Sequence, residues 1–164
     1  MEARWALAEW GRLPLNPTLY GEWKFNDHAP DAYEVKLLLG GVIAPRWHWG
    51  FNVFYEQEVS GGRASEMGLS QALSYTLADG KLGIGVEMNL ERASEPNLQG
   101  KPAVEFLLGP SLQWRPTSRV HLDLVPLFGT TGDSPAVEAY VIFGIDFGRR
   151  RGKEVHAPAS SRSR

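Results

Sequence analysis

Apolar and polar residues alternate with a period of two along most of this chain. The clearest case is the segment 82–91, whose sequence is LGIGVEMNLE. A period of two is typical of β-strands, whose successive side chains point to opposite faces, whereas an amphipathic helix has a period near 3.6. The same alternation marks eight segments: 16–26, 33–45, 47–58, 66–77, 82–91, 104–115, 120–130 and 137–148. The pattern therefore predicts an all-β protein with eight strands.

The connections between these segments alternate in length. Short turns lie near Arg46, at 79–81 and at 116–118, and longer polar loops lie at 27–32, 60–65, 93–103 and 131–136. Tight turns between neighbouring strands force antiparallel pairing, and Asp79-Gly80 is a strong hairpin signal. We therefore predict an up-and-down meander that closes into a β-barrel when its first and last strands pair.

The chain divides into three parts. Residues 1–13 fit neither period and are predicted to form a short helix or the end of an upstream strand, and residues 14–148 form the barrel domain. Residues 149–164 hold six basic residues and one acidic residue and are predicted to be a disordered tail. Residues 1–4 do not begin an apolar run of the kind found in signal peptides. We expect either a closed eight-stranded barrel or the C-terminal portion of a larger one.

The composition of the two alternating sets indicates which face is inside. One set is rich in glycine, alanine and serine, as a crowded interior requires, and the other set is large and aromatic. Tryptophan and tyrosine lie near the segment ends, beside short turns at Trp47 and Tyr75 and beside longer loops at Trp23 and Tyr33. Membrane barrels place apolar residues outward between two aromatic girdles, so the sequence predicts a transmembrane β-barrel.

At this point the chain resembles the outer-membrane β-barrel proteins of Gram-negative bacteria. The resemblance covers residues 14–148 and includes the segment 139–147, AYVIFGIDF, which is similar to the terminal strand that such proteins present to their assembly machinery. It implies a location in the outer membrane, the lipid bilayer and that machinery as partners, and a porin-like or transport role. The subfamily and the oligomeric state stay open, and no nucleic acid is expected as a partner.

Charged residues of the polar set are separated by height along the predicted barrel. Nine acidic residues lie near the longer-loop ends: Glu22, Glu34, Glu56, Glu58, Glu66, Glu87, Glu91, Glu105 and Glu138. The bases predicted to face the same interior are Lys24, Lys36 and, nearer the short turns, Arg115. Either these charges form ion pairs, such as Glu22 with Lys36 or Glu34 with Lys24, that plug the barrel, or they form an acidic mouth that attracts cations. The expected role is passive: small-solute permeation or structural support of the membrane.

Two other function classes are weighed against this one. A soluble lipocalin-like barrel would place the same apolar residues inside around an apolar ligand. A lipid-modifying hydrolase of the outer membrane would use a group such as His121, Asp123 and Ser111, but His121 and His48 lie at the short-turn end. The chain has no cysteine, and no cluster has metal-ligand spacing, so we expect no catalytic residue, no cofactor and no metal site.

Overall fold

The protein folds as one antiparallel sheet of nine strands, in a computed structural model that describes residues 1–94 and 101–147. The strands are β1 Glu2–Ala6, β2 Thr18–Lys24, β3 Ala32–Ala44, β4 Trp47–Glu58, β5 Ser65–Leu77, β6 Leu82–Ser94, β7 Ala103–Thr117, β8 Val120–Gly129 and β9 Val137–Ile145. Each strand pairs with the next in chain order, so the up-and-down topology is confirmed. A single 3₁₀ turn, Ala78–Gly80, joins β5 to β6 in this described part.

The additional strand comes from the N-terminal segment. Residues of Glu2–Ala6 pair with β2, from Glu2 opposite Glu22 to Ala6 opposite Thr18, and the amino group of Met1 donates a hydrogen bond to the carbonyl of Trp23 at 2.6 Å. The prediction of eight strands is therefore wrong by one, and of residues 1–13, predicted as a short helix or the end of a strand, residues 2–6 form a strand. The predicted basic tail, 149–164, lies outside the described residues.

The sheet is curved but not closed. Side chains from all nine strands, from Arg4 on β1 to Tyr140 on β9, line one cavity of about 600 Å³, so the sheet curls around it. Within the described residues, however, β1 and β9 do not pair with each other. Nine antiparallel strands leave the first and last strands running in the same direction, so these two edges cannot pair antiparallel. The eight-stranded closed barrel expected from the sequence is therefore not observed.

The two faces of the sheet have opposite character. The concave face carries the polar set, and the convex face carries the apolar set. Val86 and Phe143 on the convex face are 44% and 64% exposed, and few large apolar side chains of the described residues are buried. The predicted sidedness of the apolar residues is confirmed. In the part of the chain that the structure describes, no helix has the length and apolar character needed to cross a membrane.

One apolar cluster lies on the concave face, where the sequence predicted polar residues. Leu107 and Leu127 are fully buried and pack with Val125 and the partly buried Tyr140. Alternation alone leaves either Leu127 or Phe128 as the outward residue of β8. The structure places Phe128 outward, at 49% exposure, and Leu127 inward. This cluster fills the space between β7, β8 and β9.

A glycine of β9 provides the space for a histidine ring. His121 of β8 lies directly opposite Gly144, and a Cβ atom on residue 144 would overlap the imidazole ring. We expect Gly144→Ala to lower the free energy of unfolding by about 1–3 kcal/mol, because the ring must move. Urea titration in detergent micelles measures this change.

The matched control is Gly21→Ala on β2. No heavy atom of the described residues lies within 4 Å of a Cβ built at Gly21, so the same added methyl group meets open space. We expect this variant to be as stable as the parent or slightly more so, since alanine loses less backbone entropy than glycine on folding. Equal losses in the two variants would contradict the assigned contact between His121 and Gly144.

Candidate functional site

Glutamates on five neighbouring strands lie directly opposite one another near the longer-loop ends. The strand register aligns Glu2, Glu22, Glu34, Glu56 and Glu66, one from each of β1 to β5. Directly opposed residues share a face of the sheet, and their Cβ atoms are about 4.5–5.5 Å apart. We call these five residues the glutamate row. Because like charges in directly opposite positions destabilise a sheet, the row requires compensating positive charges or hydrogen-bond donors.

Two lysines provide positive charge inside the glutamate row. The Nζ atom of Lys24 lies 2.6 Å from Oε2 of Glu56 and 3.6 Å from Oε2 of Glu34. The Nζ atom of Lys36 lies 2.9 Å from Oε1 of Glu34. The side chain of Glu34 is only 7% exposed, so the two lysines, and not water, stabilise its negative charge. Of the ion pairs that the sequence suggested, Glu34 with Lys24 is present.

Tyr20 supplies the hydrogen bonds at the other end of the glutamate row. Its hydroxyl lies 2.7 Å from a carboxylate oxygen of Glu22 and 3.2 Å from one of Glu2, so it can donate its single proton to either. Arg4 and Lys36 lie 5.3 and 5.2 Å from the centre of the tyrosine ring. Both distances are within the range of a cation–π interaction. Alternation in the segment 16–26 places Tyr20 in the polar set, but no role is predicted for it from the sequence.

The other predicted acids have different roles. Glu87 and Glu91 on β6 line the cavity, and the side-chain amide of Asn89 donates a hydrogen bond to Glu91 at 2.6 Å. Glu105 lies directly opposite Glu91 on β7. Glu58 accepts a hydrogen bond from the backbone of the β4–β5 loop at residue 64, at 2.9 Å.

Glu138, on β9, accepts a hydrogen bond from the hydroxyl of Tyr140. Five of the nine predicted acids line the cavity: Glu34, Glu56, Glu66, Glu87 and Glu91.

Buried polar atoms without a partner occur at the short-turn end of the cavity. Asp123 is 7% exposed, and its Oδ1 atom has no hydrogen-bond partner among the described residues; the same holds for Nε of Arg115. His48 shares a hydrogen bond with the hydroxyl of Thr76 at 2.9 Å.

The residues considered for a hydrolase lie on the neighbouring strands β7 and β8. Ser111 lies beside Gly85, and His121 lies against Gly144. Among the described residues, no group of three or more histidines or carboxylates could hold a metal ion.

The cavity carries a net negative charge. The acidic side chains that line it are Glu34, Glu56, Glu66, Glu87, Glu91 and Asp123, and the basic ones are Arg4, Lys24, Lys36 and Arg115. Six acids against four bases leave an excess of two negative charges when all are ionised. An excess of negative charge in a cavity of this kind attracts cations more than anions.

Comparisons of the chain with protein-family models, with curated proteins and with solved structures found no match.

Proposed function

We propose that this chain forms part of the wall of a membrane-spanning β-barrel, of the kind found in the outer membrane of Gram-negative bacteria, and that it permits passive permeation of small solutes with a preference for cations. The observation that carries the proposal is the inverted sheet: the apolar side chains are exposed on the convex face, and the charged ones line the concave face. Large exposed apolar surfaces on a protein mark contact with lipid or with another protein.

The lengths of the central strands support the membrane placement. Strands β3 to β7 contain 12 to 15 residues each. At a rise of about 3.3 Å per residue and a tilt of about 40°, 13 residues span about 33 Å. The apolar band of such proteins is about 25 Å tall, so these strands are long enough to cross it and to reach both interfaces.

Paired aromatic residues at two heights support the same placement. Trp47 and Tyr75, at the short-turn end, have ring centres 5.1 Å apart. Tyr33 and Tyr55, at the longer-loop end, have ring centres 6.4 Å apart. Both pairs belong to the convex apolar set. Aromatic residues at both ends of the strands are typical of the two membrane–water interfaces.

The open edges favour a larger barrel over a closed eight-stranded one. An odd number of additional strands between β9 and β1 would complete an all-antiparallel wall. The soluble ligand-binding alternative needs an apolar interior, and the hydrolase alternative needs a nucleophile with an adjacent base. The exposure of the apolar set on the convex face argues against the first. Structural support of the membrane is the alternative if the cavity is closed to ions.

The proposal is tested by reconstitution into planar bilayers. In a KCl gradient we expect a reversal potential of the sign that indicates cation preference, and we expect Glu87→Gln to reduce it because one negative charge leaves the cavity. The matched control is Glu9→Gln, since the Glu9 side chain is 84% exposed outside the strands. Anion preference, or an equal effect of both variants, would contradict the permeation proposal. Recovery of the protein in the soluble fraction without detergent would contradict its membrane placement.

A further inference from the structure

The β7–β8 ladder is interrupted at a pair of prolines. The strands pair at Leu108 opposite Phe128, and pairing resumes at Leu112 opposite Leu124. The same register places Pro110 directly opposite Pro126, with one unpaired position on either side. Both strands are internal to the sheet, whereas proline in a sheet is ordinarily confined to edge strands and bulges. We call the unpaired stretch, residues 109–111 and 125–127, the proline seam.

The length of the interruption follows from hydrogen-bond chemistry. In an antiparallel ladder, two directly opposite residues exchange a pair of N–H to C=O bonds at every second position. Proline has no N–H, so Pro110 opposite Pro126 loses both bonds of one such pair. The positions on either side, 109 opposite 127 and 111 opposite 125, are each bordered by one of these two missing bonds, because that bond would need the N–H of a proline. The prolines therefore occupy a hydrogen-bonded position, and the proline seam is held by side-chain and backbone packing instead of hydrogen bonds.

An apolar groove lies over the proline seam on the convex face. This open groove has a volume of about 730 Å³, and its walls include Leu73, Val86, Pro110, Leu112, Leu124 and Pro126. The compact proline rings leave a depression between the larger side chains on either side of them. None of the residues that line the groove is charged.

The groove reaches the aromatic pair at the short-turn end of the sheet. Trp47 and Tyr75 belong to its lining, and both are convex-face residues. Aromatic side chains with a polar edge mark the level of the lipid headgroups in the proposed placement. The groove thus extends from headgroup level toward the apolar middle of the sheet. This is the direction in which the acyl chain of a bilayer lipid extends from its headgroup.

We propose that the groove over the proline seam holds one acyl chain of a membrane lipid. The inference rests on the proposed membrane placement and goes beyond it, because it assigns one bound chain to one position on the lipid-facing surface. The uncharged lining fits a hydrocarbon and offers no opposite charge to a charged peptide. The groove lies on the face of the sheet instead of at an edge, so a peptide strand cannot bind there by extending the backbone ladder. A bound chain would fill the depression that the prolines leave in the outer surface.

The test uses the protein in vesicles that contain a phospholipid with a photoactivatable acyl chain. After irradiation, mass spectrometry locates the lipid adducts. We expect adducts at Leu112 and Leu124 to be at least about fivefold more frequent than at Val35 and Val141, although these two are 49% and 69% exposed on the same face. Uniform labelling of the convex face would contradict a specific groove, and so would protein–protein adducts at Leu112 without lipid adducts.

A variant that fills the groove gives a second measurement. Val86→Trp is expected to reduce the adducts at Leu112 several-fold, and Val35→Trp, the same substitution far from the groove, is expected to leave them unchanged. If Val86→Trp does not fold, Leu124→Phe takes its place, with the same expectation. An unchanged adduct yield in the filled variant would overturn the proposal. Absence of lipid adducts on the whole convex face would instead contradict the membrane placement, so the two failures are distinguishable.

Discussion

Replacing Val53 with arginine is expected to lower the free energy of unfolding by about 2–4 kcal/mol in lipid vesicles, the cost measured for a cation near the middle of a lipid-facing strand. Val53 lies at the centre of β4, is 38% exposed on the convex face and has the apolar Leu37 and Leu69 as its direct neighbours. In hydrocarbon the guanidinium loses its hydration and finds no partner. Urea-induced unfolding in vesicles measures the change.

The chain offers a close control six positions further along. Val59 is 40% exposed, almost as much as Val53, but it lies in the loop after β4. Val59→Arg introduces the same charge at a height where it remains hydrated, so we expect a change within about 1 kcal/mol. If the convex face contacted water, both substitutions would be nearly neutral, because exposed surface changes usually alter stability by no more than about 0.5 kcal/mol. Equal effects of the two variants would therefore contradict the lipid-facing assignment.

The fold was largely predictable from the sequence because a sheet with one polar and one apolar face must alternate strictly. The predicted segment 82–91, for example, lies within the observed strand Leu82–Ser94. Strand β1 could not be found in the same way. Its five residues, EARWA, are too few to establish a period, and they form a strand because β2 supplies the hydrogen-bond partners. The number of strands depends on that tertiary pairing. It also decides whether the two edge strands run in the same or in opposite directions.

The site was predictable in composition but only partly in height and not in register: Glu87, predicted near the longer loops, lies nearer the short-turn end of β6. Alternation placed Glu34 and Lys24 on one face near the longer loops, and their ion pair was foreseen. Whether Glu34 faces Glu56 directly depends on the turn that joins β3 to β4, and a shift of one residue would move the whole set to the other face. The proline seam has the same origin, since Pro110 and Pro126 are separate residues in the sequence and become a pair only through the β7–β8 register.

Replacing Lys24 with methionine is expected to destabilise the protein by about 3 kcal/mol, the lower end of the range for breaking a buried ion pair. The substitution keeps much of the length of the side chain and removes its charge. It leaves Glu34 and Glu56 directly opposed without the ammonium group that lies 3.6 and 2.6 Å from their oxygens. The lower end applies because the lysine side chain is 24% exposed. Urea unfolding in detergent micelles measures the loss.

A double variant separates charge repulsion from lost packing. Adding Glu56→Gln to Lys24→Met removes one of the two opposed carboxylates, so we expect it to recover at least about 1 kcal/mol, as interacting neighbours do in a double-mutant cycle. Arg12→Met is the control for loss of a cation at an exposed pair: its Nε atom lies 3.8 Å from Glu9, and both side chains are more than three-quarters exposed. That variant should change the stability by less than about 0.5 kcal/mol. If the double variant is no more stable than Lys24→Met, repulsion within the glutamate row is not what Lys24 offsets. In that case the loss would come from the other contacts of the Lys24 side chain, and the negative charge of the row would be offset by Tyr20 and Lys36.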